Sequence, residues 1–173
     1  MKHMMRFLGV LTALVLLCSC AMAEQTLTLL TVDSTQVTLT LKDGDTCDTP
    51  TEESGAIVRL PAHRPGCADV TISVAVADLD GADSLTALST EILDAIKADI
   101  LIDYPGGTIT EHYTEAGTLY LLVDAGEDYD LHDMFTMYKG FYIDLIQYNE
   151  DFSDLTEADD AFLLDIMQGI WTK

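Results

Sequence analysis

Apolar and polar positions alternate with a period of two along much of the chain and with a helical period over two stretches. Val70, Ile72, Val74 and Val76 alternate with Thr71, Ser73, Ala75 and Ala77, which predicts a strand with one bulky face. Thr26–Val32 and Gln36–Leu41 read as a hairpin around Asp33-Ser34-Thr35. Lys42–Gly55 is polar and reads as a long surface loop. Ile57–Leu60 is a short strand, and Pro61–Gly66 is a turn. Thr108–Glu115 and Thr118–Val123 pair around Ala116-Gly117. The second of these runs Leu119-Tyr120-Leu121-Leu122-Val123 without alternation, so it is expected to be covered on both faces. Met134–Tyr138 and Phe141–Tyr148 form a third hairpin around Lys139-Gly140, after an acidic loop over Asp124–Asp133.

The first helical stretch carries Leu85, Leu88, Ile92, Ile96 and Ile100 as one stripe. Ser84 is expected to cap it, and Pro105 to stop it near Asp103. The second opens at Thr156, with Asp159 in a capping-box position, and carries Phe162, Leu163, Ile166, Met167 and Ile170. Asp159, Asp160 and Gln168 fall on the edge expected to face water. Hairpin, strands, helix, four strands and helix give an α+β class: a mostly antiparallel β-sheet flanked by two helices, in an α/β/α sandwich.

The element order, the run Tyr138-Lys139-Gly140-Phe141-Tyr142-Ile143-Asp144-Leu145, the acidic linker after it and the ending Ile166-Met167-Gln168-Gly169-Ile170 resemble the PsbP-like fold, shared by many small secreted bacterial proteins. The resemblance covers most of residues 24–173 and implies a binding or assembly module with no catalytic motif. The cysteine-bearing region Lys42–Gly66 has no counterpart in it.

The N-terminal end has a different pattern. Lys2 and Arg6 precede an apolar run of 11 residues, Phe7–Leu17, followed by Ala21-Met22-Ala23 and Glu24. This is the layout of a cleavable signal peptide over residues 1–23, leaving a single domain over 24–173. Leu17-Cys18-Ser19-Cys20 also fits a lipobox, with Cys20 as the lipidated residue and a lipid anchor as the result. Either reading places the protein outside the cytoplasm, secreted or at the cell envelope. Neither leaves a transmembrane segment after processing.

Loss of the leader's two basic residues takes the formal net charge from −22 to −24, because all 30 acidic residues lie beyond it. Such a field repels nucleic acid and anionic lipid. Cys47 and Cys67 remain as an even pair in an exported chain and are expected to form a disulfide, which at a loop of about 20 residues contributes about 3 kcal/mol. A metal site of Cys47, His63 and Cys67 competes with it, without a CxxC pair to support it.

No nucleophile elbow, HExxH or phosphate loop occurs. His112 lies on the Thr108, Thr110, Thr114 face of its strand, where a half-exposed position is expected. Asp124, Glu127, Asp128, Asp130 and Asp133 form a cluster from which calcium could draw oxygen ligands, and Asp78, Asp80 and Asp83 a second cluster without the EF-hand spacing. Trp171, the sole tryptophan, is expected to pack against the sheet. The functional expectation is an exported, non-enzymatic binding or scaffold domain of unknown partner, with no catalytic residue and no resident cofactor beyond possible calcium. The alternatives are a carboxylate-dependent hydrolase and a calcium-binding acidic module. An enzyme should place acids with shifted pKa values in a cavity, and a binding module should expose an apolar or aromatic patch.

Overall fold

A computed structural model describes residues 25–52, 57–77, 81–125, 130–150 and 153–172. The expected signal peptide, Cys20, and the residues Asp78, Asp80, Glu127 and Asp128 lie outside them. Two antiparallel sheets form the fold. The smaller has the order β1 (Gln25–Val32), β2 (Thr35–Leu41), β11 (Ile170–Thr172). The larger runs β3 (Thr46–Cys47), β5 (Ile57–His63), β6 (Val70–Val76), β10 (Phe141–Tyr148), β9 (Leu131–Tyr138), β8 (Leu119–Asp124), β7 (Thr108–Tyr113), with β4 (Thr51–Glu52) also on β5. The helices are α1 (Thr90–Asp103) and α2 (Glu157–Gly169). This is the expected α+β class with a mostly antiparallel sheet.

The large sheet is covered on both faces. Val58, Leu60, Ile72, Val74, Ile143 and Leu145 point to one side, where they join Phe162, Leu163 and Ile166 of α2 and Val37, Leu39 and Leu41 of the small sheet in the main core. Leu119, Leu121 and Met137 point to the other side, where Leu93, Ile96 and Ile100 of α1 rest on them. Leu29 and Leu30 are both buried because a β-bulge between Thr28 and Leu30 breaks the alternation of β1.

Several boundaries differ from expectation. The first hairpin turns on two residues, Asp33 and Ser34, both with positive φ, so Thr35 belongs to β2. The loop over Lys42–Gly55 contributes two short strands, because β5 extends through Pro61 to His63 and offers them an edge. Ser84 does not cap α1. Leu85–Ala87 is a separate 3-10 turn, and Ser89 is the cap, its hydroxyl accepting from Ile92 N–H at 3.3 Å. The helix ends at Asp103 as Pro105 requires. The expected stripe holds only in part: Leu93, Ile96 and Ile100 of α1 rest partly buried on the sheet, Ile92 is exposed, and Leu85 is buried in the 3-10 turn before the helix.

At α2 the capping box forms: the Asp159 carboxylate accepts from Thr156 N–H at 2.8 Å and from its hydroxyl. Asp159 does not face water. It is buried and also accepts from Ala68 N–H at 2.7 Å, which ties α2 to the start of β6. Burial alone would raise its pKa, but these hydrogen bonds hold it below the usual carboxylate range. α2 ends at Gly169, where a methyl group would collide with the Thr40 carbonyl oxygen of β2. The chain then turns into β11, a strand the helical reading of Ile170 concealed.

Candidate functional site

The face of the large sheet carrying His112 extends past the cover of α2. His112 stands opposite Tyr120, Tyr120 opposite Thr136, and Thr136 opposite Ile143, so these four share that face. His112 is exposed; its ring stacks on Tyr120 at 5.5 Å, and its Nε2 lies 2.9 Å from the Thr110 hydroxyl. Next to this shelf is a groove of about 320 Å³ lined by Thr136, Tyr138 and Ile143 on the sheet, Thr114 to Thr118 at the β7–β8 turn, and Gln168, Ile170 and Trp171. Trp171 is 50% exposed rather than packed in the core, because β11 is an edge strand of the small sheet. Its indole N–H donates to the Thr40 hydroxyl at 3.2 Å, which fixes the ring against β2. A second depression of about 230 Å³, with Asp83, Ser84 and Lys139, shares Ala116, Thr118 and Tyr138 with the first.

On the opposite face lies an acid pair that the sequence did not reveal. Asp133 on β9 and Asp144 on β10 sit diagonally across their strand pair and point toward α1. Asp133 Oδ2 accepts from the Tyr104 hydroxyl at 3.0 Å, while its Oδ1 is buried with no other donor in reach. Burial pushes the Asp144 carboxyl up to about 8, with the Asp133 charge and the hydrogen bond between them adding to the rise. Asp133 is raised by burial too. The hydrogen bond between them places one proton between the two carboxyls, donated by Asp144. Burial likewise raises Tyr104, with Asp133 adding to it. Arg59, joined through Nε to the Ser73 hydroxyl at 3.3 Å, opposes the rise in Asp144 by its charge. Neither carboxyl lines the groove.

Asp144 ordinarily titrates near 3.8, so its raised folded value favours the folded state fully below about pH 4, and that contribution is lost progressively as pH rises from about 4 to about 8. Asp144→Asn is therefore expected to gain roughly 2 kcal/mol over the parent at pH 9 and little at pH 4. Urea melts at the two pH values measure it; equal differences would mean that the carboxyls share no proton.

The acidic residues expected at a calcium site do not converge where they are described. Asp130 Oδ2 accepts from Leu155 N–H at 2.8 Å. Asp133 belongs to β9, not to the loop, and faces α1. Asp124 stands opposite His132, on the other face of the sheet from Asp133. Among the described residues no group of three or more histidine, cysteine or acidic side chains is placed to hold a metal. No bond joins Cys47 and Cys67 in this structure, and both side chains are partly buried against the main core. Burial pushes the Cys47 thiol up to about 11, and Cys67 Sγ lies 3.5 Å from the Ala158 carbonyl. His63 gives Nδ1 to Asp69 at 2.8 Å and Nε2 to Asp48 at 3.3 Å. Its pKa is raised, chiefly by the Asp69 bond, and no ring nitrogen is left for a metal beside the cysteines.

The other residue missed from sequence is Arg64. It sits in the turn after β5, bonds Asp45 through two parallel 2.7 Å contacts, reaches Asp165 of α2 at 2.9 Å, and lies 4.5 Å over the Phe162 ring. The one available signal was scarcity: few basic residues serve a very acidic chain, and this one stands just before Pro65-Gly66 in a turn.

Among the described residues no helix is long and apolar enough to cross a membrane. Compared with known proteins, the chain matches no family model and no curated protein.

Proposed function

We propose that this chain is an exported, non-enzymatic binding domain whose site is the groove between Tyr138 and Trp171. The observation that carries the reading is the half-exposed Trp171, held by Thr40 at the mouth of a cavity with an apolar floor. A side chain that large exposed at a concavity marks a contact surface more often than a packing fault. The leader pattern supports export, and the PsbP-like resemblance supports a binding role. The hydrolase reading rests on Asp133 and Asp144, whose shared proton is apt for acid–base chemistry. Asp133 is only 6% exposed and both carboxyls face α1, so the groove is the better candidate.

As the sole tryptophan, Trp171 is also the reporter. The purified protein, screened against arrays of short peptides and oligosaccharides, should retain at least one class of ligand, with a shift in Trp171 fluorescence. Trp171→Ala should weaken that binding by roughly 2 kcal/mol or more, as truncated aromatic anchors do. Ligands held equally well by the variant would place the site elsewhere.

A further inference from the structure

Resting on the groove as the binding site, we infer that its occupant is an extended, basic polypeptide segment. Three observations point to it. First, the two depressions share Ala116, Thr118 and Tyr138, so they form a track across a saddle and not one closed chamber. A compact ligand fills one depression; a chain in extended form, rising about 3.3 Å per residue, crosses both.

Second, the charge on the track is unbalanced. Glu115 lies on the Trp171 side of the saddle and Asp83 on the other, both exposed, and neither carboxylate has an ion-pair partner among the described residues. Lys139 offers one opposing charge to these two, in a chain whose net charge is −22. An anionic ligand meets repulsion here, while lysine or arginine side chains meet both carboxylates and the faces of Tyr138 and Trp171.

Third, β11 lies at the end of its sheet, and among the described residues its outer edge pairs with nothing. An incoming strand can take backbone hydrogen bonds there, place alternate apolar side chains over Ile143 and Ile170, and direct the others to the acidic rim.

The probe is the capped hexapeptide Lys-Val-Lys-Val-Lys-Val, compared with its Glu-Val counterpart and with N-acetyl-lysine amide as the lone cation. Calorimetry and Trp171 fluorescence follow binding to the full chain. The lysine hexapeptide should bind, the glutamate hexapeptide should not, and the single lysine should bind at least about tenfold more weakly than the hexapeptide. Glu115→Gln with Asp83→Asn should weaken the hexapeptide about tenfold, and rising salt should do the same. Both positions are exposed, so unchanged thermal melts would show that the variant remains folded. Equal binding of both hexapeptides, or an unaffected double variant, overturns the inference. So does a protein that ignores both peptides but holds an oligosaccharide in a Trp171-dependent way, and that outcome leaves the groove itself standing as the site.

Discussion

Replacement of Arg64 by alanine should destabilise the protein by about 3–5 kcal/mol, the largest loss expected from any single change outside the apolar core. Arg64 is the described partner of Asp45, which is itself only 7% exposed. Two parallel bonds from one guanidinium satisfy both carboxylate oxygens. Without them a buried charge remains with no countercharge. Asp165 suffers less, because Lys42 also bonds it. Burial alone would raise the Asp165 pKa, and these two cations together hold it below the usual range. Arg64→Lys should recover only part of the loss, since an ammonium lacks the planar fork and stacks less well over Phe162. Urea midpoints of the three proteins test this. A loss under about 1 kcal/mol for alanine would show that Asp45 finds water instead.

Ile166→Ala should cost roughly 2–5 kcal/mol, while Gln168→Ala should stay within about 0.5 kcal/mol. Ile166 is 1% exposed, between Phe162 and Ile170 on the face α2 turns to both sheets. Removing its outer carbons leaves a cavity in the main core where α2 meets β2 and β10, strands too well paired to collapse into it. Gln168 is partly exposed at the groove wall, where water replaces its contacts. Equal urea midpoints for these two variants would contradict the placement of α2.

The elements legible in the sequence are those whose period is set by one dominant face. β6, β10 and α2 each bury a single regular stripe, and their residues announce it. Asp144 was not legible for the same reason. In Phe141-Tyr142-Ile143-Asp144-Leu145 it occupies the alternate position, which by itself reads as water-facing. Only the second cover, inferred from the unbroken apolar run of β8, turns that position toward a helix. The hairpin around Lys139-Gly140 sets a register, but Asp133 reads as the end of the acidic loop, so its strand is taken to begin one residue later and the pair is not formed on paper. Asp159 was misread similarly, since a capping position at a helix start is usually solvated and its third partner, Ala68 N–H, lies 91 residues away. The groove was out of reach because it depends on where β11 stops and how far β7 and β8 project, neither of which leaves a periodic trace.

The thin seating of α1 has a consequence for how the molecule breathes. The main core is continuous through two sheets and α2, whereas the enclosed apolar residues under α1 are Leu85, Leu119, Leu121 and Met137. Local opening free energy follows such differences, so the α1 layer is expected to detach as a unit before the rest unfolds. Tyr104, just past the end of α1, bonds the very carboxylate that shares a proton with Asp144. Backbone amides of α1 should therefore exchange with solvent through partial openings well below the global unfolding energy. Once the intrinsic effect of pH on exchange is removed, those openings should become more frequent as pH rises from about 4 to about 8 and level off above it, while the amides of α2 continue to report the whole fold.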